Sequence, residues 1–287
     1  MISSAPVRHA PPTETHGELA LSTSELRLFQ DLMYREAGIR LPDVKQNLVQ
    51  GRLRKRLDAL GLGSYREYHS HITAHGHADE LQRCLEALTT NETFFFRHKQ
   101  HWDFLLEELL PAWQRGAARG ASFRVWSAAS STGEEPYSLA IALHAALSGH
   151  GFGIHIDATD INTQVLARAR TGIYGAYALQ KLTPKCLQQY FVPAGGDDHF
   201  QVREDIRALV AFRSHNLQEA TVQGPPYDLI MLRNVLIYFD TASKNTVIGH
   251  IGTRLRAGGH LILGGAETLS DVHSSFTYVR PTIYRKH

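Results

Sequence analysis

From about residue 122 onward, short apolar runs alternate with amphipathic ones, and this alternation limits the fold more than any other feature of the chain. Phe123-Arg-Val-Trp-Ser-Ala128 reads as a strand, Tyr137 to Leu147 as a helix, Ile154 to Thr159 as a strand and Thr163 to Ala169 as a helix. Leu209 to Phe212 and Asp228 to Leu232 are further strands, Ser243 to Leu255 is a helix and His260 to Leu263 a strand. Strands separated by helices need crossover connections, so they pair in parallel with helices on the faces. The stretch from Phe276 to Arg285 is strand-like with Pro281 inside it. That suits antiparallel strands at a sheet edge, where a missing N–H is tolerated.

The first part of the chain has a helical texture. Ser22 and Glu25 form a capping-box pattern, Leu26, Phe29, Leu32 and Met33 follow at helical spacing, and Gly38 ends the run. A second helix carries Val49, Leu53, Leu57 and Leu60 on one face before Gly61; Tyr65 to Ala74 and Asp79 to Leu88 are a third and a fourth. A helix from Lys99 to Trp113 leads into the alternating region. The expected division is a disordered tail over 1–18, an all-α domain over 19–90, a linker over 91–98 and an α/β domain over 99–287. An insert at about 174–207 breaks the alternation. In it Thr183-Pro184 opens a short helix, and Ala194-Gly-Gly-Asp-Asp198 is a turn between strand-like pieces. A specificity element and a structural decoration are both open readings of it.

Composition narrows the class. A hydrophobic fraction of 43% with 20% charged residues excludes a disordered chain or a coiled-coil rod. No apolar run approaches the roughly 20 residues of a membrane helix, so no membrane insertion is expected. The first eighteen residues hold three prolines and no apolar core, unlike a secretory signal. Cys84 and Cys186 lie far apart with no metal or redox spacing, which reads as two reduced thiols of a cytoplasmic protein without a metal.

The net charge of +2 is too small for the whole chain to bind nucleic acid, but it is uneven. Between Arg40 and Leu60 six basic residues face two acids. Lys45, Arg52, Lys55 and Arg56 are expected together on one exposed flank of the second helix. A solvated face and a docking surface for an acidic partner are both open. Nucleic acid is disfavoured, because no aromatics interleave and no helix-turn-helix or zinc pattern accompanies the flank.

Ligands of open α/β sheets bind beyond the carboxyl ends of the strands. The first such segment here is Ser127-Ala-Ala-Ser-Ser-Thr-Gly-Glu-Glu-Pro-Tyr-Ser138. It is not G-x-G-x-x-G, and Glu134 and Glu135 would repel a pyrophosphate. They favour a cationic ligand, for which S-adenosylmethionine fits, or they serve only the helix dipole. Asp160, in Asp157-Ala-Thr-Asp-Ile-Asn162, ends the second strand where an acid bonds ribose hydroxyls. Asn216 follows the third strand and is either an adenine contact or a plain loop residue. Arg233-Asn-Val-Leu-Ile-Tyr-Phe239 ends the fourth in a polar pair, and its Tyr238 is either a wall of the transfer channel or core.

Thr90-Asn-Glu-Thr-Phe-Phe-Phe-Arg97, Val125 to Ser138, Ala158-Thr-Asp-Ile161 and Arg233 to Phe239 together resemble the chemotaxis receptor methyltransferases of the CheR family, in order over about residues 22 to 285. The resemblance implies a Rossmann-like S-adenosylmethionine-dependent methyltransferase sheet with a small all-α N-terminal domain and an inserted antiparallel β-subdomain. It implies a protein-glutamate O-methyltransferase whose product is S-adenosylhomocysteine. Its partner would be the acidic cytoplasmic helix bundle of chemoreceptors, met by Lys45, Arg52, Lys55 and Arg56. A receptor C-terminal peptide would dock at the β-subdomain, whose turn Pro193 to His199 is short here. Asn91, Thr93, Arg97, Glu134, Asp160, Asn216, Leu217, Asn234 and Val235 carry over as cofactor contacts, with Glu134 at the methionine end. Arg97, Arg233 and Tyr238 are expected to orient the incoming carboxylate, with Phe94 to Phe96 buried between the domains. A methyltransferase for nucleic acid or small molecules remains a rival, without the Asn/Asp-Pro-Pro-Tyr/Phe motif of transfer to a base. A non-catalytic cofactor-binding module is the other.

Overall fold

The structure is a computed structural model that describes residues 19–196, 198–220, 224–272 and 275–287. The tail expected over 1–18, and Asp197 of the expected turn, lie outside the described residues.

Four helices come first: α1 (Thr23–Ala37), α2 (Gln46–Leu60), α3 (Tyr65–Thr73) and α4 (Ala78–Leu88). The capping box of α1 is formed, with Glu25 N–H donating to Ser22 Oγ and Ser22 N–H to Glu25 Oε2. Leu26, Phe29, Leu53, Leu57, Tyr68 and Ile72 close a core shared by these helices. Leu60, expected on the apolar face of α2, is 38% exposed on its last turn. Lys45 is not on α2 but in the single 3₁₀ turn Asp43–Lys45 ahead of it.

The next helix runs on past Trp113 as α5 (Lys99–Asp103), a π-helical section (Phe104–Leu109) and α6 (Leu110–Gly116). Pro111 has no N–H to donate. Just before it, Leu110 N–H bonds the carbonyl of Leu105, five residues back, and this wider turn carries the helix through the proline.

The α/β part runs β1 (Ser122–Ala128), α7 (Glu134–Leu147), β2 (Gly153–Asp160), α8 (Thr163–Thr171), β3 (Ile173–Gly175), α9 (Ala176–Leu179), α10 (Pro184–Tyr190), β4 (Phe191–Pro193), β5 (His199–Val202), α11 (Glu204–Arg207), β6 (Val210–Ser214), β7 (Tyr227–Leu232), α12 (Thr241–Arg254), β8 (Leu255–Leu263), β9 (Phe276–Arg280) and β10 (Ile283–Lys286). Seven strands form one sheet in the order β6-β2-β1-β7-β8-β10-β9. The first five are parallel, and β10 is antiparallel to both neighbours, so it lies between β8 and β9. The antiparallel strands expected over Phe276–Arg285 are present at this edge, and Pro281 stands in the turn between them beside Thr282, whose φ is 65°. There the missing N–H costs no ladder bond. In the insert β3, β5 and β4 make a separate antiparallel sheet. Thr183 Oγ1 caps α10 at the N–H of Cys186, with Pro184 in the first turn.

Both faces of the large sheet are covered. Val125, Ile156 and Met231 pack with Leu139 and Leu143 of α7; Trp126, Ile230 and Leu261 pack with Val247 and Ile251 of α12. Full burial of such a side chain contributes about 1.5–3 kcal/mol. The helical domain sits over the carboxyl ends of the strands: Arg40 N–H donates to Tyr238 O at 2.8 Å and Gln82 Nε2 to Ile161 O at 2.6 Å. Among the described residues no helix is long and apolar enough to cross a membrane.

Candidate functional site

Between the carboxyl ends of β1, β2, β6 and β7, the linker and the helical domain lies a cavity of about 1120 Å³, its open mouth included. Its floor is made by strand geometry. After β1 the chain turns through left-handed residues at Ala129, Ser131 and Gly133. A Cβ on Gly133 would meet Tyr174 Oη at 2.7 Å and Ala169 Cβ at 2.9 Å, so no other residue fits this turn. The turn points Ser131 N–H at Asp160 Oδ2 (2.8 Å), and Asn162 N–H reaches Oδ1 (2.9 Å). Burial raises the pKa of Asp160, while these backbone donors favour its charged form. Each oxygen keeps a further lone pair.

Asn91, Thr93, Arg97, Asp160, Asn216, Leu217, Asn234 and Val235 all line this cavity, as do Arg233, Tyr238 and Lys45. Glu134 does not. Successive residues of a helix point about 100° apart, so Glu135 lines the cavity while Glu134 lines a neighbouring recess with Arg168 and Tyr174. There Thr132 Oγ1 donates to Glu134 Oε2 at 2.7 Å, and burial raises the carboxyl pKa. Asn216 lines the cavity with its amide partly engaged: Nδ2 donates to Glu36 O (2.7 Å) and Oδ1 accepts from Gln218 N–H. Asp157 is buried away from the cavity, bonded to Arg213, His155 and the Tyr227 hydroxyl.

Arg233 departs from its expected role. Its side chain is 3% exposed and pairs with Glu135 at 2.8 Å. Its Nη2 donates to Arg97 O at 2.7 Å and lies 3.0 Å from His98 Nδ1. These donors are engaged within the protein: although Arg233 lines the cavity, it pairs with Glu135 and fixes the linker instead of being free for an incoming carboxylate. Arg97 is half-buried, with its guanidinium over the Phe94 ring and one bond to Glu92 O. Among the described residues no carboxylate pairs with it. Nor do the three phenylalanines fill an interdomain seam. Phe95 alone is fully buried, and it packs edge-on against Tyr174 and Phe191 of the insert. Phe94 and Phe96 are half-buried.

The basic flank is also less free than its helical spacing implied. Arg56 makes two bonds to Glu80 (2.8 and 2.6 Å) and Arg52 holds Thr89 O at 2.7 Å. Lys55 is exposed. Lys45 lies at the cavity, 5.2 Å from the centroid of the Tyr238 ring, so the flank and the cavity are not in separate domains.

Glu267, unremarked in the sequence, organises the segment after β7. Its buried carboxylate accepts N–H bonds from Asn234 (2.8 Å), Gly264 (2.6 Å) and Ile237 (3.3 Å). A Cβ on Gly264 would come within 2.6 Å of it. The available signal was the Gly264-Gly265 pair following β8, two residues before an acid.

Burial lowers the pKa of five histidines below 6.5: His69, His98 and His215, with His101 at about 3 and His260 at about 4; guanidinium charges add to this at His69, His98, His101 and His260. Between the ordinary histidine pKa of about 6.5 and those folded values, the unfolded chain takes up protons that the folded chain refuses. Stability from these groups is therefore full above 6.5 and falls with acid. The urea midpoint should drop between about pH 7.5 and about pH 5; equal midpoints would exclude this.

The family descriptions "CheR methyltransferase, SAM binding domain" and "CheR methyltransferase, all-alpha domain" match residues 91–285 and 24–89. The chain is 39% identical over 269 residues to the chemotaxis protein methyltransferase of Salmonella typhimurium, covering 93% of this chain and 91% of that one. It is 38% identical to that of Escherichia coli (93% and 92%) and 32% identical to that of Borreliella burgdorferi (93% and 95%).

Proposed function

The chain belongs to the CheR methyltransferase family, and on that premise we propose that it transfers the methyl group of S-adenosylmethionine to glutamate side chains of chemotaxis receptors in the cytoplasm. The observation that carries this reading is the placement of Asp160 in one cavity with Lys45 and with an Arg97 that pairs with no carboxylate among the described residues.

The chemistry of the donor set fits the cofactor. The Asp160 carboxylate, held by backbone donors, suits a vicinal diol, while Glu135 lines the same cavity with its charge already paired to Arg233. S-adenosylmethionine supplies a methyl group already activated by its positive sulfur. A glutamate carboxyl has a pKa of about 4.3 and is ionised at neutral pH. The protein therefore supplies no general base; its task is to position two groups about 3–3.5 Å apart and exclude water. Arg97 and Tyr238 are the groups proposed to orient the acceptor. Asn234, whose N–H donates to Glu267, lines the same cavity.

The test is transfer of labelled methyl to membranes containing receptors. Base-labile label on protein is expected; label on nucleic acid, or none, rejects the reading. Arg97→Ala should abolish transfer while leaving the melting temperature within a few degrees. An unfolded variant would make Arg97 structural.

Charges at the receptor face act over about 8–10 Å at physiological salt and steer encounter more than they add affinity. Lys55→Glu is expected to raise the KM for receptor and flatten the salt dependence of kcat/KM, with cofactor affinity unchanged. Arg56→Glu is no substitute, since it breaks the bond to Glu80. Unaltered receptor kinetics in Lys55→Glu at low salt would leave this flank a solvated face. A receptor C-terminal peptide is proposed to pair with the insert's antiparallel sheet.

A further inference from the structure

The geometry points to Glu86 as a positioning residue: from the helical domain it holds the loop carrying Asp160, so that docking of that domain and cofactor binding strengthen each other. Glu86 is 6% exposed on α4. Its Oε1 accepts the N–H of Thr163 at 2.7 Å and the Thr163 hydroxyl at 2.6 Å, at the first residue of α8. Its carbonyl accepts from Asn162 Nδ2 at 3.3 Å, and one turn earlier Gln82 Nε2 donates to Ile161 O at 2.6 Å. Helix α4 thus grips Ile161, Asn162 and Thr163, the three residues directly after Asp160.

The grip is relayed to the cavity. Asn162 Oδ1 caps α8 at Gln164 and Val165, and Asn162 N–H is one of the backbone donors that orient the Asp160 carboxylate. A carboxylate at a helix N-terminus is favoured by the dipole, and its bonds to N–H and O–H are charge-assisted. Deleting it frees Thr163 and loosens the path Glu86, Thr163, Asn162, Asp160. A ligand that needs Asp160 in place then favours the docked domain, and by reciprocity the docked domain favours the ligand.

The experiment uses the full chain and S-adenosylhomocysteine alone. Its outcome is independent of which acceptor is methylated. Glu86→Ala is expected to raise the Kd by calorimetry about tenfold, within the range of about 5–150-fold typical of coupled sites. Glu86→Gln keeps an acceptor oxygen for Thr163 and should restore the Kd to within about threefold of wild type. In the wild type, S-adenosylhomocysteine should slow amide hydrogen exchange through Ala78–Leu88, and in Glu86→Ala this protection should be lost. A role confined to packing would lower the melting temperature and leave the Kd of the folded variant alone; that result overturns the proposal. Should Glu86→Ala fail to fold, the wild-type exchange decides, and absence of protection in α4 overturns it equally.

Discussion

Glu135→Ala is expected to destabilise the protein by about 3–5 kcal/mol, the cost typical of leaving one member of a buried ion pair alone. Arg233, at 3% side-chain exposure, would keep its carbonyl bond to Arg97 but lose its only carboxylate partner among the described residues. Burial already works against its charge, and Glu135 is the main opposing influence. Ser127 Oγ, which donates to Glu135 Oε1 at 2.8 Å, would lose its acceptor as well. The double variant Glu135→Leu/Arg233→Met should recover part of the loss, because it buries no unpaired charge. Chemical denaturation measures both. A loss under about 1 kcal/mol in the single variant would show that water reaches Arg233 and that the pair is not structural.

Asp160→Ala should weaken S-adenosylhomocysteine binding by about 1.5–3 kcal/mol, the range for hydrogen bonds to a charged group. The substitution removes the acceptor proposed for the ribose hydroxyls and leaves the N–H groups of Ser131 and Asn162 without their partner. Both effects fall on the same wall of the cavity. Titration calorimetry reads the change directly, and unaltered affinity in a folded variant refutes the ribose role.

The sheet was readable because its strands are apolar runs bounded by turn residues, and period and length are local properties. Helix starts were readable for the same reason: Ser22 with Glu25, and Thr183 with Pro184, act on their own neighbours. What failed was partnership across the fold. A helical wheel places Arg56 on a flank of α2 but cannot say that Glu80, 24 residues later, is opposite it. The Arg233-Asn234 pair does stand at a cavity, yet the direction of the guanidinium depends on Glu135, 98 residues earlier in the chain. Two adjacent acids at a helix start are equivalent in sequence, and only the tilt of α7 on the sheet decides that Glu135 faces the cavity. Glu267 is hard to read in the sequence because its partners are backbone N–H groups, and only the Gly264-Gly265 pair before it hints at the close approach.

The position of β10 between β8 and β9 has a consequence for synthesis on the ribosome. The four helices of the first domain close their core within residues 21–88, so that unit has its contacts long before the sheet is complete. The five parallel strands emerge next, and β8 then presents a bare row of backbone groups along its outer side. β9 cannot cover it, because among the described residues β9 pairs in the sheet with β10 alone, which is made later. For that interval the nascent chain carries an unpaired edge flanked by Leu261, Ile262 and Leu263, the kind of surface that recruits strands from other chains. Completion of the hairpin seals the edge of β8 and passes the outermost position to β9, a strand with two exposed apolar side chains, Tyr278 and Val279, and an arginine at its end.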